Sequence, residues 1–403
     1  MRILFVTQTL PHDEAGGSQT YVAELATTLA AAHEIGVLSG SRAGATGLPI
    51  RTVRRLAPLA AEASTLDKMW WHARDQWSLR QHQLIRGELR RFAPDVVHTH
   101  QCQGLTSAVF SAIAASGLPH VHTAHDLNVL CVNTRMIRHG TRCAGRCGPC
   151  LLQRGIRGSL VAQRLDFLIA PSDRVRRLHV SAGVVSEDRA VTIRQGAKPG
   201  ASYLRGSDDR PLRAGFIGAL AAHKGVRQLL AAVGSSRRSW TLDVVGSGPL
   251  AADVAVAARN NDRITFHGAL FDADKDSFYA GVDLLVVPSE GEENAPLVVA
   301  EASVRGIPTV VSDRGGLAET ALATVVRGGD PQALAEAIDD LDRDRERLRM
   351  LSGLLLERVD EFTWRRHVDE VASVLDRARS PTRAASQPLL AARRAIQVLS
   401  RRR

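Results

Sequence analysis

Aromatic residues make up only 4% of this 403-residue chain, and four Lys stand against 48 Arg. The five cysteines are confined to positions 102 to 150, and the cytoplasmic setting expected below argues against disulfides. No apolar run reaches the roughly 20 residues that span a bilayer. The opening text MRILFVTQTLPHDEAGG holds one Arg and a short apolar run, without a long hydrophobic stretch or a small-residue cleavage site. It reads as a first strand rather than a secretory signal, and a cytoplasmic setting is expected. There is no Walker A sequence, and Gly246-Ser-Gly248-Pro-Leu-Ala251 lacks the third glycine of a dinucleotide fingerprint. The net charge of +10 is concentrated in the last 21 residues, which carry six Arg and no acid, leaving the rest near +4. A balanced body of this kind is not a nucleic-acid surface.

At 44% hydrophobic and 23% charged residues the composition is globular, and the length fits two domains. Ile3–Val6 reads as a strand, Pro11–Ser18 as a Gly-containing loop, about 19–32 as a helix and Glu34–Leu38 as the next strand. That order predicts a parallel sheet. Val96–His98, His120–Ala124 and Phe167–Ala170 continue it. After a turn-rich joint at 196–210 the pattern restarts, with strands at Leu212–Ile217, Thr241–Val245, Ile264–Phe266, Asp283–Val287 and Thr309–Val311. Two Rossmann-like α/β halves facing across a cleft are expected, with ligands beyond the strand C-termini. The predicted divisions are 1–205, 206–362, a helix at 363–380 returning to the first half, and a basic tail at 381–403. The tail reads either as a short amphipathic helix resting on anionic lipid at the inner face of the membrane or as a frayed, solvated end. Met69, Trp70, Trp71 and Trp77, in an apparent helix, suit either a greasy acceptor or membrane surface or simple packing.

The densest text is Pro288–Ser312, PSEGEENAPLVVAEASVRGIPTVVS. It joins an apolar strand to an acidic loop, then to a helix that Pro296 opens as its first residue. The N–H groups of Leu297 and Val298 would face outward at the helix start, where an anion is favoured. Glu293 in the loop and Glu301 in the helix would offer carboxylates to sugar hydroxyls. Together these features describe a nucleotide-sugar pocket.

This stretch resembles the E-x7-E signature of retaining glycosyltransferases of family four, which have the GT-B fold. The resemblance covers about residues 1–380. It implies that Glu293 contacts the donor sugar and Glu301 the ribose, with Asn294, Ala295, Pro296, Leu297 and Val298 lining the donor. Gly218-Ala-Leu-Ala-Ala-His-Lys224-Gly225 is similar to the family's G-x-L-x-x-x-K-G segment, which implies Lys224 at the diphosphate. A compact ammonium suits charge building on a departing phosphate. Ala219 stands where the family often carries Arg. Val244-Val-Gly246-Ser-Gly-Pro resembles the turn beside the nucleotide, and His267 resembles a residue near the base, a structural role being the alternative. Gly16 and Gly17 match a G-G pair at the donor diphosphate. His125-Asp126, at a strand end, matches a His that contacts the sugar, with Asp126 orienting it or assisting the acceptor hydroxyl. His98 and His100 would support the site.

The resemblance further implies front-face transfer from a UDP- or GDP-sugar to a hydroxyl on a glycan, lipid or small molecule, with no cofactor needed for chemistry. Two alternatives share the scaffold: a non-catalytic sugar- or nucleotide-binding protein, and a sugar-nucleotide epimerase. Cys131, Cys143, Cys147 and Cys150 form C-x11-C-x3-C-x2-C, which reads as a structural zinc site or as reduced thiols in a mobile loop.

Overall fold

The computed structural model describes residues 1–11, 16–41, 47–59, 63–134, 136–138, 141–143, 147–202, 204–205, 210–319 and 322–380. The basic tail expected at 381–403 lies outside the described residues. Two compact units are present. One comprises 1–136, 143–193 and the chain from 368 on; the other comprises 137–142 and 194–367.

The first unit begins with β1 (Arg2–Thr7), α1 (Gly17–Leu29), β2 (Glu34–Ser39), β3 (Ile50–Thr52), α2 (Thr65–Gln76) and α3 (Leu79–Phe92). It continues with β4 (Val96–Thr99), α4 (Ala108–Ser116) and β5 (His120–Thr123). A small hairpin, β6 (Ile137–Arg138) and β7 (Thr141–Arg142), belongs to the other unit. Then come α5 (Gly148–Gln153), α6 (Ser159–Ala162), β8 (Phe167–Ala170), α7 (Asp173–Ser181) and β9 (Ala190–Thr192). The seven-stranded sheet has the order β3-β2-β1-β4-β5-β8-β9, and every pair is parallel. Its central strands are buried over their whole length because helices cover both faces.

The second unit runs β10 (Arg213–Ile217), α8 (Val226–Ser235), β11 (Thr241–Val245), α9 (Ala251–Asn260), β12 (Ile264–Gly268), α10 (Asp272–Gly281) and β13 (Leu284–Val287). It closes with α11 (Leu297–Ser303), β14 (Thr309–Ser312), β15 (Ala323–Val326), α12 (Pro331–Arg343) and α13 (Arg345–Glu357), while α14 (Trp364–Arg379) starts in this unit and from Val368 on belongs to the first. Its parallel sheet has the order β12-β11-β10-β13-β14-β15. All four residues of β13 are buried, each worth about 1.5–3 kcal/mol of apolar transfer. The architecture is the two-domain Rossmann-like α/β fold expected.

The differences from expectation are local. α1 starts two residues earlier than predicted, because the glycine pair is its entry. β3, β9 and β15 were not anticipated; each is a three- or four-residue strand at a sheet edge, too short for a periodic signal. Pro296 is the residue before the helix rather than its first, with ψ of 136°, so Leu297 starts α11.

In both sheets the strand order reverses once, at β1/β4 and at β10/β13. There the loops on either side run in opposite directions and leave an opening at the strand C-termini, where ligands bind in such sheets.

Candidate active site

The second unit's switch point is framed by the loop after β10 and the loop after β13. The backbone clips them together: the N–H groups of Glu290 and Gly291 both donate to the carbonyl of His223, at 2.9 and 3.1 Å. Gly225 has φ of +73°, and a Cβ there would lie 1.9 Å from the carbonyl oxygen of Pro288. Only glycine permits this approach. The clip brings Lys224 to Glu293, whose Oε1 accepts from Lys224 Nζ at 2.6 Å and from Ser289 Oγ at 2.7 Å. Both side chains are half-buried, so the pair is only partly screened by water.

Glu293 is also gripped through its backbone. The N–H of Gly316 donates to its carbonyl at 2.7 Å, and Gly315, at φ +62°, lies so close that a Cβ would sit 2.0 Å from the same oxygen. Ser312 Oγ donates to the carbonyl of Ser289 at 2.6 Å. The turn after β14 thus fixes the acidic loop from below.

Glu301 lies within α11 and faces α10. Its Oε1 accepts from Lys275 Nζ at 2.5 Å and its Oε2 from the Tyr279 hydroxyl at 2.6 Å. Burial, and then the charge of Glu301, push the Tyr279 phenol well above its ordinary pKa, so it remains a donor. Arg305 stacks on the Tyr279 ring at 4.9 Å and ties the Glu301 carbonyl, at 3.0 Å, to Asp276. Asn294, Ala295, Pro296, Leu297 and Val298 are all partly exposed beside these two acids.

The glycine turns after β10 and β11 interlock. Gly246 has φ of +146°, its N–H donates to the Gly268 carbonyl at 2.7 Å, and a Cβ on it would lie 1.9 Å from the Gly218 carbonyl oxygen. His267 sits where the β11–β12 register shifts, and its Nε2 meets Asp243 Oδ1 at 2.6 Å. Asp243 in turn receives Arg213 at 3.0 Å. The His267 ring is therefore hydrogen-bonded into a chain that runs through Asp243 to Arg213.

In the first unit the switch point is lined by the α1 entry and by the segments after β4 and β5. Gly16 has an extended φ of −171°, and a Cβ would meet only the end of the Gln19 side chain. Its backbone therefore does not demand glycine, unlike Gly225 or Gly246. Ser18 Oγ donates to Gln101 Oε1 at 2.7 Å, and Gln101 Nε2 donates to Asp126 Oδ2 at 3.1 Å. Asp126 Oδ1 accepts from the Asn128 N–H at 2.8 Å, closing a turn. The His125 ring meets His100 Nδ1 at 3.0 Å and the Tyr21 ring edge-on at 4.6 Å. His100, fully buried, stacks on Phe5. Burial, then the neighbouring imidazoles, hold its pKa well below the ordinary value, so it is neutral. His98 and His100 support the strand end, as expected. Behind them Thr99 Oγ1 bonds both His120 and His122, at 2.8 and 2.9 Å.

Among the described residues no group of three or more His, Cys, Asp or Glu side chains could hold a metal ion. The centre expected on Cys131, Cys143, Cys147 and Cys150 is not among such groups. Cys131 and Cys150 instead sit in the hydrophobic core with sulfurs 3.6 Å apart, and burial pushes the Cys150 thiol up to about 12. Cys143 is drawn to the Met136 carbonyl at 2.7 Å by its backbone.

Sequence reasoning missed Lys275, Tyr279, Ser289, Gly315 and Gly316. The Gly-Gly after Asp313-Arg314 was the one visible signal, a turn after an apolar strand.

Comparison with known proteins bears on both units. Residues 15–199 match the model described as Glycosyltransferase Family 4, and residues 211–344 match Glycosyl transferases group 1. The chain is 26% identical over 329 residues to a D-inositol 3-phosphate glycosyltransferase of Stackebrandtia nassauensis, covering 72% of this chain and 71% of that protein. It is 22% identical over 257 residues to a 42.6 kDa protein of the cps region of Klebsiella pneumoniae, covering 63% of this chain and 66% of that one, just under two thirds of its length. In fold it is similar to Anabaena HepE, solved in complex with UDP: TM-score 0.70 and 17% identity, over 94% of this chain and 100% of that one.

Proposed function

Because the chain is an enzyme of the glycosyltransferase class with the GT-B fold, we propose that it moves a sugar from a UDP- or GDP-sugar to a hydroxyl acceptor, with retention of anomeric configuration. The contact between Lys224 and Glu293 carries this reading. An ammonium and a carboxylate, 2.6 Å apart at the switch point, suit a diphosphate and a sugar hydroxyl side by side. Lys224, with 27% of its side chain exposed, would turn from Glu293 to a phosphate oxygen. Glu301 would accept from the ribose hydroxyls, with Lys275 and Tyr279 holding its carboxylate in place. Asn294 to Val298 would line the sugar and phosphates.

In the reaction the acceptor hydroxyl attacks the anomeric carbon on the face from which the phosphate leaves. The sugar–phosphate bond breaks, and the departing phosphate oxygen takes the hydroxyl proton. The protein's part is alignment and charge stabilisation. His125 and Asp126 of the first unit would contact the sugar and the acceptor hydroxyl.

Incubation with UDP- and GDP-sugars tests the proposal, with nucleoside diphosphate release and the product anomer followed by proton NMR. Release with a product that keeps the donor's anomeric configuration is expected. An inverted product, or no turnover with any donor that binds, would overturn it.

A further inference from the structure

The first unit carries a second concavity, apart from the loops already described. A cavity of about 290 Å³ opens among the segment after β3, the junction of α2 and α3, and the loop after β4. Arg54, Arg55, Arg74 and Arg80 line it, and no Asp or Glu does. Among the described residues no carboxylate pairs with Arg54, Arg74 or Arg80.

The nearest acid in sequence is already neutralised. Asp75 Oδ2 accepts from Arg157 at 2.8 Å and its Oδ1 from the Gly104 N–H at 2.9 Å, with both charged side chains at most 2% exposed. This buried pair holds the α2–α3 junction against the loop after β4, so the cavity wall is built rather than incidental. Gln81 lines the cavity and is only 5% exposed. Four guanidinium groups in a lining that holds no Asp or Glu, three of them with no carboxylate partner among the described residues, select an anion. The planar fork of Arg matches phosphate oxygens in particular.

The rim is apolar. Trp77 and Leu84 line the cavity and Leu79 lies beside them, all exposed. On α2, Leu66, Met69 and Trp70 recur at helical spacing and also face solvent. An anionic group carried by an apolar body fits this surface better than a free ion does.

We propose that this cavity binds a phosphate or diphosphate ester, and that this group belongs to the acceptor. The second clause rests on the transferase reading; the phosphate site itself does not.

The test uses the full chain. Inorganic pyrophosphate is titrated by calorimetry in the presence of saturating UDP, so that the donor site is occupied. Wild type is compared with Arg74→Gln/Arg80→Gln, and UDP affinity is measured on the same preparations. Pyrophosphate binding should weaken about tenfold for each guanidinium removed, and fall with added salt, while UDP affinity stays constant. Sedimentation with phosphatidylcholine vesicles, with and without phosphatidic acid, separates the sources. Capture that requires phosphatidic acid, and is lost in the arginine variant and in Met69→Ser/Trp70→Ser, assigns the phosphate to a lipid. Pyrophosphate binding without vesicle capture assigns it to a soluble phosphorylated acceptor. Equal binding in wild type and the arginine variant, or neither pyrophosphate binding nor vesicle capture, overturns the proposal. Failure of the transferase reading would appear separately, as absent nucleotide-sugar turnover with this anion site intact.

Discussion

The two units reverse their strand order in the same way yet furnish the opening with opposite chemistry. At β10/β13 the side chains are charged and held in pairs: Glu293 by Lys224 and Glu301 by Lys275. At β1/β4 the supporting groups are imidazoles, hydroxyls and amides around one carboxylate, Asp126, and the buried rings are kept neutral. One topology thus supports paired charges in one unit and a wall of mostly neutral hydrogen-bonding groups in the other. Loop composition, not the sheet, makes that choice.

The largest expected effect exposes the neutral side of this contrast to acid. Burial lowers the pKa of His100 and His122 well below the ordinary value, of His120 to about 3 and of His179 to about 4. These are bases whose folded pKa is depressed. The unfolded chain therefore binds more protons below about pH 6.5, and stability is lost as pH falls through that value. At about pH 5.5 the four together cost the first unit on the order of 5 kcal/mol. In the second unit His367, at about 4, is lowered for the same reason. Mass-mapped proteolysis at neutral and mildly acid pH should find the first unit opening first. Simultaneous opening would remove the contrast.

Next in size is the charged side. Lys224→Ala should lower turnover about 10²–10³-fold, because its charge matters most as the phosphate leaves, with little change in nucleotide affinity. Steady-state kinetics with UDP binding measured in parallel checks this. An unchanged rate would detach Lys224 from the chemistry.

Glu301→Ala should weaken nucleotide binding by about 1–3 kcal/mol, through a lost ribose contact and a stranded Lys275. Tyr279→Phe should reproduce a fraction of that loss, since the phenol only orients the carboxylate. Calorimetry with UDP, and with the deoxyribose analogue, separates the two: wild type should discriminate between these ligands and Glu301→Ala should not.

The smallest effect returns to the first unit. His125→Ala should impair transfer about tenfold, the scale of one neutral hydrogen bond, while free nucleotide affinity holds. An equal loss of nucleotide affinity would move His125 to the phosphate or base, and the division of chemistry between the units would fail.

Much of this was legible in the residues because it is local. Apolar runs such as Leu284–Val287 declare a buried strand, and the string from Pro288 to Ser312 carries loop, helix and strand in one piece. Glu293, Glu301 and Lys224 could be named because each lies in such a string, and the two-unit α/β order follows from the restart near residue 210. Tertiary structure alone decided what holds them. Lys224 meets Glu293 across 69 residues, Tyr279 meets Glu301 across 22, and Gly315 earns its place only by touching the Glu293 carbonyl. It also decided that Cys131 and Cys150 become buried neighbours, and that four arginines from three segments line one cavity. The physical reason is range. Backbone propensity and periodicity act over a few residues and are written in composition and spacing. A hydrogen-bond partner, a buried pKa or a shared wall depends on which distant segments the folded chain brings within a few ångströms.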